Sequence, residues 1–370
     1  MSRPVIRADL AALEGYHSPQ VDVDVRLNTN EAPGPPPAGF SEAVAAAALE
    51  VAWHRYPDRS ATELRTAIGG LHRVGPEQIF CANGSNEVLQ TVLLTFAGPG
   101  RTVLTFEPTY ALHSHIARLT GATTVAADRN DQFLVDPGDA VAQIREHRPA
   151  VTFLCSPNNP TGIVEPVDTI TSVLEAVSEV GGLLVLDEAY GQFSPFAGET
   201  LLGDDVPLVV SRTYSKTWAM AGARLGYLLG PAWLVDDLEK VVLPYHLDAM
   251  KQAAGLAALE FLDEMEQRVS LIVEERGRIE ASLNDLGARV WPSGANFVLF
   301  RPPGGDGNEV WQQLVDASVL VRNTASWDHL DGCLRVTVGT PDDNTRFLTA
   351  LRNITGGHIT DGSPTSESTS

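Results

Sequence analysis

Lys216 is the residue of this sequence best placed for covalent chemistry. Ser215 precedes it directly, Arg224 follows eight residues later, and an apolar run at residues 208–210 predicts a buried strand leading into the segment. A lysine reacts with a carbonyl group when its surroundings lower its pKa and hold it in place. A hydroxyl and a guanidinium nearby suit a phosphate group. The pattern predicts a lysine that binds a phosphorylated aldehyde, of which pyridoxal 5'-phosphate (PLP) is the common biological example.

An isolated Ser-Lys pair is usually an ordinary surface loop, so this interpretation depends on other motifs. Residues 83–87 (NGSNE) precede an apolar helical stretch. Small residues at a helix start leave N–H groups that can bind an anion, although they are equally typical of a simple helix cap. Tyr110 follows another candidate strand, where its ring can stack on a flat heterocycle or pack in the core.

Two further motifs follow candidate strands. Residues 156–162 (SPNNPTG) form a turn whose prolines and glycine can hold Asn159 in one hydrogen-bonding pose, unless the segment is a turn and nothing more. Asp187 ends the apolar run at residues 183–186, and a carboxylate at the end of a buried strand needs a partner. A protonated pyridine nitrogen is one candidate partner, and capping of the next element is the alternative. Tyr190 lies three residues further on, within reach of the phenolic oxygen of such a ring.

The elements that must position these residues alternate between strands and helices. The candidate strands are nearly continuous apolar runs, which is typical of strands covered on both faces. Helical stretches between them predict an α/β fold with a mostly parallel sheet flanked by helices. Ligands of such sheets bind beyond the carboxyl ends of the strands. The runs are residues 102–106, 151–155, 183–186, 208–210 and 225–229.

The last third of the chain predicts a smaller α+β domain. A long charged helical pattern covers residues 248–286, and shorter apolar runs follow at residues 297–300, 319–321 and 334–338. The predicted organisation is an N-terminal arm that is part of the small domain (1–44), a large PLP-binding domain (45–245), a small C-terminal domain (246–355) and a disordered tail (356–370).

Composition limits the classes of function. Hydrophobic residues make up 44% and charged residues 20% of the chain, as in ordinary globular proteins. The net charge of −21 argues against nucleic acid and anionic membranes as partners, but a local group of arginines can still bind an anionic substrate. The N-terminus has no apolar signal segment, so we expect a cytoplasmic protein. No metal site is expected, since His113 and His115 lack further ligands nearby.

Taken together, the motifs resemble those of the histidinol-phosphate aminotransferase family, which belongs to the class II aminotransferases and to the fold-type I PLP enzymes. The resemblance extends over roughly residues 11–351 and is more specific for PLP than for the substrate. The matching segments are residues 28–31, 54–58, 84–87, 156–162, 187–190, 215–227, 244–247, 295–297 and 334–340.

The resemblance implies a role for each matching residue. Lys216 would hold PLP and move a proton between the substrate Cα and the cofactor C4', with Asp187 and Tyr190 as the other catalytic residues. Tyr56 would reach the PLP phosphate of a neighbouring subunit, which implies a homodimer with a shared active site. The implied cofactor-binding residues are Gly84, Ser85, Asn86, Tyr110, Asn159, Asp187, Tyr190, Thr213, Ser215, Lys216, Arg224 and Tyr56. The implied substrate-binding residues are Tyr16, Asn159, Arg322 and Arg335.

The implied reaction is amino transfer between histidinol phosphate and 2-oxoglutarate, with glutamate as the other amine, in L-histidine biosynthesis. Alternatives with the same fold are an aromatic-amino-acid aminotransferase and a PLP enzyme similar to threonine-phosphate decarboxylase. Two arginines, Arg322 and Arg335, favour a phosphate-bearing donor over one with a carboxylate alone. The chain departs from the usual family pattern at residues 32–33, Asn323 and Asp248, all expected near the substrate.

Two functions from other classes fit the sequence poorly. A non-catalytic PLP-binding regulator would carry a DNA-binding domain, and the charge of −21 argues against one. A nicotinamide-dependent dehydrogenase would carry G-x-G-x-x-G after its first strand, and the sequence has none there.

Overall fold

Two β-sheets organise the chain in the computed structural model, which describes residues 3–8, 10–11, 21–304, 306–325 and 327–356. The strands are β1 (Val25–Leu27), β2 (Ile79–Ala82), β3 (Thr102–Glu107), β4 (Thr123–Asp128), β5 (Val151–Cys155), β6 (Leu183–Asp187), β7 (Leu208–Thr213), β8 (Gly226–Leu229), β9 (Arg289–Val290), β10 (Phe297–Arg301), β11 (Val319–Asn323) and β12 (Leu334–Thr337).

Eleven α-helices accompany these strands in the described part of the chain. They are α1 (Phe40–Glu50), α2 (Thr62–His72), α3 (Ser85–Phe96), α4 (Leu112–Leu119), α5 (Pro137–His147), α6 (Val167–Glu179), α7 (Ala232–Leu238), α8 (Ala249–Leu259), α9 (Leu262–Asp285), α10 (Gly307–Asp316) and α11 (Pro341–Gly356).

The larger sheet has the strand order β2-β8-β7-β6-β5-β3-β4. The neighbours from β4 through β3, β5 and β6 to β7 are parallel, and β8 runs antiparallel to both β7 and β2. Every residue of β5, β6 and β7 is buried, because helices cover both faces of the sheet. One apolar cluster includes side chains of α2, α5 and α6, and the cluster on the other face includes those of α3, α4 and α7.

The smaller sheet has the order β1-β11-β12-β10-β9. The N-terminal strand β1 pairs in parallel with β11, and the other pairs are antiparallel. Its apolar cluster includes residues of α9, α10 and α11. The register of β11 and β12 places Arg322 directly opposite Arg335, so two cationic residues are cross-strand neighbours.

The predicted α/β fold class is confirmed, but some local predictions were inaccurate. The helical pattern at residues 248–286 is two helices, α8 and α9, because Phe261 leaves the helical conformation (φ −110°, ψ 37°). The Phe261 ring instead packs edge-on against Phe40, with 6.4 Å between ring centroids. Helix α11 extends to Gly356, where the tail was expected to begin, and residues 357–370 lie outside the described residues. The domain limits remain predictions.

No helix among the described residues is long and apolar enough to cross a membrane.

The close approach of β8 to α3 gives a test of the fold. A Cβ at Gly226 would lie 2.3 Å from the Ser85 amide nitrogen and 2.6 Å from the Gly84 carbonyl carbon, so the helix start would have to move. We expect Gly226→Ala to lower the free energy of unfolding by about 1–3 kcal/mol in denaturant melts.

The matched control is Gly277→Ala in α9, where an added Cβ meets nothing within 4 Å. This change should leave stability unchanged or raise it by up to ~1 kcal/mol, since alanine is the better helix former. Equal unfolding free energies for the two variants would contradict the packing of β8 against α3.

Candidate active site

A cleft of about 830 Å³ lies at the carboxyl ends of the parallel strands and also reaches the smaller sheet. Most of the predicted site residues line it. They are Ser85, Asn86, Tyr110, Asn159, Asp187, Tyr190, Thr213, Ser215, Lys216, Arg224, Arg322 and Arg335. Gly84 lies beside the cleft, next to Arg224. Tyr56 is 79% exposed and is not part of the lining, and Tyr16 lies outside the described residues.

Lys216 follows β7 and extends into the cleft, where its Nζ donates a hydrogen bond to the Thr29 carbonyl oxygen at 3.3 Å. Burial lowers the pKa of Lys216 to about 8, and the nearby charges of Arg335 and Arg224 act in the same direction. Glu31 opposes this effect. A much larger fraction of this lysine is therefore neutral near pH 7 than of an ordinary lysine, as attack on a carbonyl carbon requires.

Asp187 is the last residue of β6 and is only 2% exposed. Its Oδ2 lies 2.9 Å from His113 Nε2, and its Oδ1 accepts a hydrogen bond from the Ala189 N–H at 3.1 Å. The His113 ring on α4 stacks on Phe153, with centroids 4.4 Å apart and planes 6° apart. A carboxylate fixed in this way at the cleft can pair with a protonated ring nitrogen.

This contact of His113 was not predicted from the sequence, where His113 stands out only as half of an H-x-H pair. The one available signal was that His113 comes three residues after Tyr110, at the start of a helix beside a predicted site residue. The contact itself joins residues 74 positions apart, so no local pattern reveals it.

The start of α3 and the segment after β7 together form a cradle for an anion. Helix α3 begins at Ser85, and its first N–H groups have no acceptor within the helix. Thr213 Oγ1 lies 3.0 Å from Ser215 Oγ, and Arg224 Nη1 lies 3.4 Å from the same Ser215 oxygen. Gly84 has φ +83°, and a Cβ there would lie 2.8 Å from Arg224 Nη2. The absence of this Cβ lets the guanidinium lie against the helix start.

Tyr190 is a buried hydrogen-bond donor at the cleft. Burial raises the pKa of Tyr190 to about 12, although Arg335 acts to lower it. The phenol therefore keeps its proton and can donate a hydrogen bond to an oxygen atom in the cleft. Asn30 Nδ2 donates to the Tyr190 oxygen at 3.0 Å and holds the ring in place. Asn30 lies within the recognised motif at residues 28–31, but its contact with Tyr190 was not anticipated.

Two arginines of the smaller sheet, Arg322 and Arg335, line the cleft. Arg335 is 6% exposed, donates to Asn159 Oδ1 at 2.5 Å and to the Asn28 carbonyl at 3.2 Å, and lies 5.0 Å above the Phe297 ring centroid. Arg322 lies 5.3 Å from the ring centroid of Trp327, another lining residue that sequence reading missed. These contacts help to orient the two guanidinium groups.

These residues fit PLP chemically. The cleft contains a lysine of lowered pKa, a buried carboxylate for the ring nitrogen, a phenol and an amide for the ring oxygen, and a cradle for the phosphate. Tyr110 also lies at the cleft, where its hydroxyl donates to Asn86 Oδ1 at 3.2 Å and its ring meets His113 edge-on.

The fold and this site define a transferase of the aminotransferase type, and comparison with known proteins agrees. The family described as aminotransferase class I and II matches residues 23–351, so the chain belongs to that family.

Two relatives are similar over nearly their whole length. The histidinol-phosphate aminotransferase of Frankia casuarinae is 45% identical over 371 residues, covering 96% of this chain and 91% of the relative. That of Mycolicibacterium smegmatis is 44% identical over 364 residues, covering 96% and 94%.

A solved structure shares the fold at lower identity. The crystal structure of histidinol-phosphate aminotransferase from Sinorhizobium meliloti, in complex with pyridoxal-5'-phosphate, matches with a TM-score of 0.82 and 24% identity. The match covers 90% of this chain and 92% of that one. The predicted resemblance to this family is confirmed.

The lowered pKa of Lys216 gives a direct test in the cofactor-free protein. The chain has three lysines, and Lys240 and Lys251 each form an ion pair with an aspartate on the surface. We expect the rate of amine modification at Lys216, followed by peptide mass spectrometry, to rise with an apparent pKa of about 8. The hydrogen bond with Asp237 raises the pKa of Lys240, so Lys240 should become reactive only at higher pH.

Lys240 serves as the internal control in the same sample. An apparent pKa at Lys216 equal to that at Lys240 would contradict the electrostatics described for the cleft.

Proposed function

We propose that this aminotransferase is a histidinol-phosphate:2-oxoglutarate aminotransferase that acts in L-histidine biosynthesis with PLP as its cofactor. The observation that carries the proposal is the cross-strand pair of Arg322 and Arg335, which lines the same cleft as Lys216. Two guanidinium groups suit a phosphate dianion, and the same pair can accept a carboxylate of glutamate in the other half-reaction. The names of the relatives at 44–45% identity support this choice of substrate.

Each residue of the cleft then has a task. Bound there, PLP supplies an electron sink that stabilises the carbanion formed when a substrate amine loses its Cα proton. Lys216 would hold the cofactor, and its amine would take the proton from the substrate Cα. Asp187, oriented by His113, keeps a proton on the ring nitrogen. Tyr190 and Asn159 orient the ring through its phenolic oxygen.

The alternatives are an aromatic-amino-acid aminotransferase and an enzyme similar to threonine-phosphate decarboxylase. Both share the fold, and the departures from the family pattern at residues 32–33, Asn323 and Asp248 bear on the choice of amine donor. None of these residues lines the cleft. Asp248 caps α8 by accepting from the Lys251 N–H at 2.9 Å. Asn323 donates to Asn308 Oδ1 at 3.0 Å and accepts from the Ala325 N–H at 2.9 Å. Local structural contacts therefore explain both departures without a change of substrate.

A half-reaction scan tests the proposed donor. The PLP-loaded enzyme is mixed separately with histidinol phosphate, phenylalanine, tyrosine and threonine phosphate, and the visible band of the lysine-bound cofactor is followed. We expect fast loss of the band with histidinol phosphate and slow or no loss with the other amines. Faster loss with an aromatic amino acid would reassign the donor and leave the cofactor site unchanged.

Lys216→Ala should bind PLP without showing this band and should lose turnover by several orders of magnitude.

Arg335 tests whether one anion site serves both half-reactions. We expect Arg335→Ala to raise KM for histidinol phosphate and for 2-oxoglutarate by about 10- to 100-fold, because a hydrogen bond to a charged group is worth ~1.5–3 kcal/mol. Arg346→Ala is the control, since Arg346 forms a surface pair with Asp24. A rise in KM for only one of the two substrates would rule out the shared site.

We also propose that the enzyme is a homodimer in which Tyr56 of each subunit reaches the cofactor phosphate of the other. Tyr56 stacks on Tyr245, with ring centroids 4.5 Å apart, and Leu49, Trp53 and Leu243 are exposed nearby in the sequence. Exposed large apolar side chains of this kind are typical of an interaction surface.

The cytoplasmic location remains a prediction from the sequence.

Light scattering and PLP titration together test the dimer. We expect a mass of twice 39.7 kDa and a Kd for PLP about tenfold higher in Tyr56→Phe, which loses one hydrogen bond to the phosphate. Phe96→Leu is a control, because Phe96 packs edge-on against Trp233 and does not line the cleft. A fully active monomer would contradict the shared site.

A further inference from the structure

A buried group of charged residues lies on the opposite face of the large sheet from Asp187. Glu188 directly follows the last residue of β6 and still donates a backbone hydrogen bond to Ser211 of β7. Successive side chains of extended chain point to opposite faces, so Glu188 and Arg212 face away from their neighbours Asp187 and Thr213. Glu188 and Arg212 are 2% and 5% exposed, and neither lines the cleft. The roles described for the cleft leave both of these ionisable residues without a function.

The contacts of Glu188 use both of its carboxylate oxygens. Arg212 donates to Oε2 through Nη2 at 2.6 Å and through Nε at 3.0 Å. The Gly198 N–H donates to Oε1 at 2.6 Å. A neutral amide in place of this carboxylate must lose one of these contacts, because only one of its two polar atoms can accept a hydrogen bond.

The group continues beyond this pair to β8 and α2. Arg212 Nη2 also lies 3.3 Å from Glu199 Oε2, and the same Glu199 oxygen lies 2.6 Å from His72 Nδ1. His72 Nε2 lies 2.8 Å from the hydroxyl of Tyr227, the residue opposite Arg212 on β8. The ends of β6, β7 and β8 are therefore joined by side chains on this face.

The position of the pair explains what it can do. The last residue pair in the backbone register of β6 and β7 is Asp187 with Ser211, and the Glu188 N–H then donates to the Ser211 carbonyl at 3.0 Å. Strand β6 ends at Asp187, whereas β7 continues through Arg212 and Thr213, which pair with β8. Beyond Ser211 the alignment of β7 with the end of β6 therefore depends on side chains such as those of Glu188 and Arg212. A shift of the end of β6 relative to β7 would move Asp187 away from Thr213. Asp187 is the proposed partner of the cofactor ring, and Thr213 is a proposed ligand of the cofactor phosphate.

We propose that the Glu188–Arg212 ion pair is a positioning device for catalysis, which fixes Asp187 relative to Thr213 from the opposite face of the sheet without touching cofactor or substrate. The proposal rests on the proposed function in so far as Asp187 and Thr213 bind PLP. It assigns to the glutamate after Asp187 a role distinct from that of the aspartate itself.

Glu188→Gln tests the proposal, with three measurements on one variant. The Kd for PLP binding to the cofactor-free protein should rise about tenfold, because Asp187 and Thr213 are no longer aligned to contact the ring and the phosphate at the same time. The apparent pKa of the visible band of the lysine-bound cofactor should change by about 0.5 or more, because this band senses the alignment of Asp187. The kcat should fall about tenfold, while KM for the amine donor stays within about twofold.

Two further variants keep the test decisive. Glu179→Gln is the matched control, because Arg145 and Glu179 form a similar pair on the surface with side chains 59% and 54% exposed, and all three quantities should stay unchanged. If Glu188→Gln fails to fold, Arg212→Lys replaces it in the test. This variant retains the positive charge but loses the bidentate hydrogen bonding to Glu188, so the same three changes are expected.

A purely structural role of the Glu188–Arg212 ion pair would contradict the proposal. If the folded variant melts at a lower temperature but keeps its Kd for PLP, its band titration and its kcat within twofold of the parent, the pair only stabilises the scaffold. The PLP titration and the band titration require no substrate. A wrong choice of amine donor would thus appear in the half-reaction scan and leave this test intact.

Discussion

An excess of positive charge in one cleft is the constraint on which the rest of the site depends. Among the described residues, four basic ones line the cleft, namely Lys216, Arg224, Arg322 and Arg335, together with the two carboxylates of Glu31 and Asp187. The net charge of the chain as a whole is −21. Like charges at short range are costly unless an anion joins them. The same excess, added to burial, lowers the pKa of Lys216. One arrangement thus attracts a phosphate and prepares the lysine for covalent chemistry.

Buried arginines of the described residues lie in two different parts of the molecule. Arg129 and Arg212 lie among the strands and are matched by the carboxylates of Glu165 and Glu188, with side chains at most 6% exposed. Arg335 lies at the cleft, where an amide, a backbone carbonyl and an aromatic ring contact its guanidinium group. Paired charges hold the scaffold together, since breaking such a pair leaves a buried charge without compensation. Arg335 differs in position, because it lines the cleft, where a ligand anion can reach it.

Local sequence patterns predicted the parts of this structure that depend on neighbouring residues. Continuous apolar runs indicated β5, β6 and β7 to within three residues at each end. As expected, Asp187 ends a strand and Lys216 follows one. The missed features depend on distant residues. His113 meets Asp187 across 74 positions and Asn30 meets Tyr190 across 160, and the register that sets Arg322 opposite Arg335 is decided by tertiary packing. A three-residue strand such as β1 is too short to show a pattern.

Chemical capture of the cofactor on the protein tests the central claim most directly. The PLP-loaded enzyme is reduced with borohydride, digested, and searched by mass spectrometry for a phosphopyridoxyl group on each of its three lysines. The account predicts that the group is found on Lys216 and is absent from Lys240 and Lys251. Attachment to either surface lysine in preference to Lys216, or a reduced protein without the adduct, would contradict the assignment of this cleft as the active site.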